Sequence, residues 1–100
     1  MDTYLLTPSN RKDKKWQVIT PDGRRTIHFG NSNYQDYTQH HTANRMRNYL
    51  QRHQKRENWG KDGINTAGWW ARYLLWSKPN LHDAIDYIEK KFKIHIYKLP

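Results

Sequence analysis

The sequence predicts an α+β fold in which a small antiparallel β-sheet packs on about three helices. Three observations predict it. Apolar residues alternate through the first third, take a helical period from about residue 42, and alternate again near the end. Pro21-Asp22-Gly23 supplies a turn between two alternating runs, with Pro presetting φ and Gly taking a positive φ. Fourteen aromatic residues, five of them Trp, each bury roughly 150–250 Å² when packed. That suffices for one aromatic-rich core over residues 1–100.

The elements follow in order. Residues 3–7 are a short extended run closed by Pro8, and residues 10–15 are a charged loop. Residues 16–20 place Trp16, Val18 and Thr20 on one side, with Gln17 and Ile19 on the other. Residues 25–29 return with Ile27 and Phe29 together, and Gly30 with Asn31, Ser32 and Asn33 ends the run. This is a hairpin, with residues 3–7 as its third strand. Met46, Tyr49, Leu50 and His53 then fall at i, i+3, i+4 and i+7 on one helical face. Thr42 is positioned to cap that helix, which is expected to run to Arg56 or Glu57.

Gly60 and Gly63 mark a loop. A helix over residues 66–76 follows, with Thr66 as its cap. Trp69, Tyr73 and Trp76 form one stripe and Trp70 with Leu74 another, so this helix is expected at the centre. Ser77-Lys78-Pro79 stops it. Asn80 and Asp83 resemble a capping pair for the last helix, whose buried stripe is Leu81, Ala84, Ile85, Ile88 and Phe92. Ile94, Ile96 and Lys98 alternate with His95 and Tyr97 as a closing strand, expected to join the N-terminal sheet.

Composition narrows function. Eighteen Lys and Arg oppose nine Asp and Glu, for a net charge of +9. A surplus of that size on a small domain points to an acidic partner. Nucleic acid is the commonest such partner and an acidic protein surface the next. A membrane surface ranks third, for want of an amphipathic helix with a bulky apolar outer face. With no Cys, disulfides and thiolate zinc sites are excluded. The longest apolar run, residues 67–76, is interrupted by Arg72 and too short to span a bilayer. Residues 1–7 lack a basic leader, so the expected setting is the cytosol, the nucleus or an intracellular assembly.

The candidate contact residues form three groups. Arg11, Lys12, Lys14 and Lys15 crowd the first loop, Arg24 and Arg25 flank the hairpin turn, and Arg45, Arg52 and Arg56 make a helical stripe. The strand over residues 16–20 lies between the first two groups, so a continuous patch does not follow from sequence. Against this stands the simpler reading of a solvated, soluble surface. Tyr34 and Tyr37 are candidates for exposure and base stacking, Trp59 in its Gly-bounded loop either plugs the core from outside or anchors a partner, and helical spacing assigns Trp69, Trp70, Tyr73 and Trp76 to core. Six His invite a metal or nuclease reading, but no His-x-x-x-His with a Glu base is present. A nuclease would have to use Asp36, His40 or His41. No metal, cofactor or catalytic residue is expected.

Several strings form an ordered set. They are Arg11-Lys12-Asp13-Lys14-Lys15-Trp16, Ile27-His28-Phe29-Gly30 and Tyr34-Gln35-Asp36-Tyr37-Thr38. Arg52-His53-Gln54-Lys55-Arg56-Glu57-Asn58-Trp59, Thr66-Ala67-Gly68-Trp69-Trp70 and Leu74-Leu75-Trp76-Ser77-Lys78-Pro79 continue it, before the Leu81, Ile85, Ile88, Phe92 helix. The set resembles a family of small uncharacterised proteins of giant and other large DNA viruses, from about Arg11 to Phe92. The resemblance implies a viral origin and no particular activity. Together with the charge, it leads to the expectation of a non-enzymatic virion protein, a minor capsid or capsid-associated component. Its partners would be other virion proteins or viral DNA, and it would be made in the host cytoplasm or viral factory. The alternative is a sequence-independent nucleic-acid-binding protein of viral replication or transcription.

Overall fold

A computed structural model describes residues 1–99. Strands β1 (Thr3–Pro8), β2 (Lys14–Ile19) and β3 (Thr26–Asn31) form an antiparallel meander. Its second turn is built as the sequence implies. Gly23 sits at φ 74°, Gly23 N–H donates to Thr20 O, and Asp22 Oδ1 accepts from Thr20 Oγ1 and from Arg24 N–H. Strand β4 (His95–Lys98) joins the outer side of β1, giving the order β3-β2-β1-β4. It runs parallel to β1, so the sheet is mixed and not wholly antiparallel. The long connection through the helices brings the chain back to the start of β1, which permits the parallel pairing.

One sheet face carries Tyr4, Leu6, Val18, Ile27, Phe29 and Ile96, all buried. The other carries Leu5, Gln17, Ile19 and His28, half-exposed. The helices cover the first face. Helix α3 (Ala67–Trp70) continues as a π-helical turn over Ala71–Leu75. Thr66 Oγ1 caps it by accepting from Trp69 N–H, and Ala71 N–H donates to both Ala67 O and Gly68 O at the junction with the π turn. The expected single α-helix is therefore two helical forms in series. The widened turn lets Trp69, Trp70, Tyr73, Leu74 and Leu75 all be buried, more than one α-helical stripe could manage.

Helix α4 (Leu81–Phe92) buries Ala84, Ile88 and Phe92. Its cap is as expected, with Asp83 N–H donating to Asn80 Oδ1 at 2.8 Å. Helix α2 (Ala43–His53) ends before Arg56, because residues 54–56 tighten into a turn in which Arg56 N–H bonds His53 O. Thr42 occupies the cap position, but its hydroxyl donates back to His40 O and caps nothing. A four-residue helix α1 (Tyr37–His40), which sequence periodicity did not reveal, stands before it. Among the described residues, no helix is long and apolar enough to cross a membrane.

Candidate functional site

Charge and cavity meet at one end of the molecule. Strand β2 starts there with Lys14 and Lys15, β3 ends there at Asn31, and α1 and α2 follow at once. The loop carrying Arg11 and Lys12 is held beside them: Ser32 Oγ donates to Lys12 O at 2.8 Å and Ser32 N–H to Asp13 O. Between this end of the sheet, α2 and α3 lies a groove of about 660 Å³.

Its floor is apolar, made by Phe29, Tyr49, Leu75 and Trp76. Ala67, Gly68 and Ala71 keep the α3 side low. Gly68 leaves room for Glu57, since a Cβ there would lie 2.8 Å from the Glu57 carboxyl carbon and displace that side chain. Tyr49 is clamped on both ring faces. Trp76 stacks at 4.2 Å and 3°, and His53 at 4.1 Å and 19°. Burial pushes the Tyr49 hydroxyl pKa upward, with the Glu57 charge adding to the effect, so it stays neutral.

The rim is cationic. Lys14, Lys15, Arg45 and Arg52 line the groove. Arg45 and Arg52 are seven residues apart, about 10.5 Å along the same face of α2. Two of the nine candidate cations are ion-paired: Arg11 with Asp13 at 3.6 Å and Lys15 with Asp36 at 2.6 Å. Among the described residues, the other seven have no carboxylate oxygen within 4.0 Å.

The Lys15–Asp36 pair is architectural. Asp36 is 3% exposed, caps α1 through Thr38 N–H, and accepts from the Thr38 hydroxyl. Lys15 also donates to Gln39 Oε1, whose side chain closes a capping box on Asp36 N–H. Lys15 thus ties β2 to α1, and its charge is neutralised. Glu57, the other carboxylate on the groove, accepts from Trp59 Nε1 at 2.9 Å and pairs with His53 Nδ1 at 3.0 Å. These bonds hold Trp59 as a half-buried plug, with Arg72 over its ring and Tyr73 Oη donating to its carbonyl. Trp59 is not a free anchor.

The remaining candidates lie elsewhere. Arg24 and Arg25 sit at the opposite end of β2, roughly 17–20 Å away by strand length. Asp22 stands beside them, its carboxyl held below the usual range by the Arg24 backbone N–H, the Thr20 hydroxyl and the Arg25 charge. Arg56 lies past the end of α2 and leaves the stripe. Tyr34 is exposed at the groove mouth, at 71%, while Tyr37 is half-buried.

Asp36, His40 and His41 do not converge on one point. Asp36 is occupied as described. His40 Nδ1 accepts from Thr42 N–H, which puts the proton of the neutral ring on the buried Nε2. Burial first, then the Arg45 charge, lowers the His40 pKa. His41 is exposed, with φ at 56°. Among the described residues, no group of three His, Asp or Glu could hold a metal ion.

Sequence reasoning missed Tyr49, Glu57 and Gly68 as parts of this site. The spacing of His53 and Glu57, one helical turn apart, was the available signal.

Comparison with curated proteins and with solved structures finds no match. A family profile does match, over residues 4–53, half of the chain. That stretch runs from β1 to the end of α2, hence holds all the rim cations with Phe29 and Tyr49 of the floor, and stops before α3, Leu75 and Trp76. The chain belongs to a family of unknown function, DUF5754.

Proposed function

We propose that the protein is a non-enzymatic structural protein of a large DNA virus, a minor capsid or capsid-associated component. It docks an acidic partner, capsid protein or viral DNA, at the end carrying Lys14, Arg45 and Arg52. One observation carries the reading. Helix α2 has three Arg and no acidic residue, and its groove-facing Arg45 and Arg52 have no carboxylate within 4.0 Å among the described residues. Unpaired, exposed cations so placed attract polyanions and release counterions when they bind. The viral setting rests on the sequence resemblance.

Quantitative mass spectrometry of purified particles of the encoding virus tests the setting. High copy number supports it, and absence from the particle removes it. The aromatic floor of the groove favours a second reading, a sequence-independent nucleic-acid-binding protein of replication or transcription, because an unstacked base brings a flat apolar ring together with its phosphates.

A further inference from the structure

We propose that the groove is a nucleotide pocket. It takes one base of a single-stranded nucleic acid against its apolar floor, with the neighbouring phosphates on Lys14, Arg45 and Arg52. The inference rests on the nucleic-acid form of the docking reading and names what fills the hollow.

Size comes first. A groove of about 660 Å³ falls within the roughly 300–1,000 Å³ of small-molecule pockets. Its chemistry is split, with an apolar floor of Phe29, Tyr49, Leu75 and Trp76 under a rim that carries three cations unpaired among the described residues, Lys14, Arg45 and Arg52. A nucleotide in a strand has the same division, a flat ring on an anionic chain. An acidic peptide presents carboxylates on short stems and leaves the floor uncovered. A duplex keeps its bases stacked inside and offers only phosphates unless a base is flipped out.

Of the two carboxylates on the groove, Asp36 is neutralised by Lys15 and also accepts from Thr38, and both oxygens of Glu57 are engaged within the fold, by His53 and Trp59. Both faces of Tyr49 are covered, so it offers the ligand only its edge. Tyr34, exposed at the mouth, has the free ring on which a neighbouring base stacks.

The test is fluorescence anisotropy on the full chain at low salt. The probe is a labelled oligothymidylate of about 12 nucleotides, compared with a duplex of equal length and with thymidine monophosphate. The single strand is expected to bind about tenfold tighter than the duplex. Ala67→Phe, at an exposed position, fills the groove without altering charge. It should cost the single strand about tenfold and leave the duplex unchanged. Tyr34→Ala should cost the strand about threefold or more, and keeps the test decisive if Ala67→Phe does not fold. Equal affinity for strand and duplex, or undiminished strand binding in folded Ala67→Phe and in Tyr34→Ala, overturns the pocket and leaves the basic docking end standing. Monophosphate binding as tight as the strand overturns it in favour of a free nucleotide. Unchanged binding of both nucleic acids by Arg45→Gln/Arg52→Gln overturns the docking end itself.

Discussion

Helices α2 and α4 have eleven and twelve residues, yet α4 buries Ala84, Ile88 and Phe92 while α2 buries only Tyr49. Their charges differ as much as their packing. Helix α4 has Asp83 in its first turn and Lys90 and Lys91 in its last, the order that suits a helix dipole. Asn80 caps it with a side-chain bond. Helix α2 has no acidic residue, no side-chain cap, and Arg45 near its positive end. An unfavourable end charge costs about 0.3–1 kcal/mol. The chain therefore sacrifices local stability in α2 and keeps it in α4. Displayed positive charge is what α2 gains, and it leans on the core through one stacked Tyr.

The comparison breaks first at the core. Trp70 is fully buried and donates to Ile64 O at 2.7 Å. Trp70→Ala should cost roughly 3–5 kcal/mol in a denaturant titration. If the core side is the stable half, amide exchange should speed up in α4 and the sheet of this variant. An effect confined to α2 would contradict the division.

Next in size is the tie between the halves. Lys15→Met leaves Asp36 as a buried, unpaired carboxylate and should cost about 3 kcal/mol. A cost below about 1 kcal/mol, the ordinary range for surface pairs, would return Lys15 to the contact surface.

Ala43→Glu sharpens the contrast from the other side. It places a carboxylate in the first turn of α2, four residues before Arg47. Stability should rise by about 0.5 kcal/mol while affinity for a polyanion falls. Gains in both would mean that α2 charge is not the docking determinant.

The smallest effect is pH-dependent. The folded His40 has a lowered pKa, so below the ordinary His value of about 6.5 the unfolded chain binds more protons. Its contribution to stability is present above that pH and is lost as pH falls through the folded value. His40→Gln should flatten the thermal melting midpoint between about pH 6.5 and 5. An unaltered slope would assign the acid sensitivity to other groups.

How much of this was legible follows from which signals are local. The hairpin was legible because alternation and Pro21-Asp22-Gly23 act over a few residues, and α4 because Asn80 and its apolar stripe agree. The parallel course of β4 was not, since one strand's pattern carries no pairing direction. Helix α1 is one turn held by the Asp36–Gln39 box and by Lys15 from β2, too short for a period to show. The π turn was hidden because apolar residues fall on more than one stripe of residues 69–76, a pattern that satisfies either helical form. The nine cations were visible as residues. The distance of Arg24 and Arg25 from the first loop was foreshadowed by the strand between them, but the rest of the sorting was not, because only tertiary contact sets Lys14 beside Arg45 and Arg52 and ties Lys15 to Asp36.

The most direct test of the claim that the α2 end is the docking surface is the salt dependence of oligothymidylate binding in two double variants. Arg45→Gln/Arg52→Gln should flatten the slope of log K against log salt by about 1.4, as expected for two lost phosphate contacts. Arg24→Gln/Arg25→Gln should leave the slope unchanged. Equal flattening by both pairs, or flattening only by the hairpin-turn pair, would contradict it.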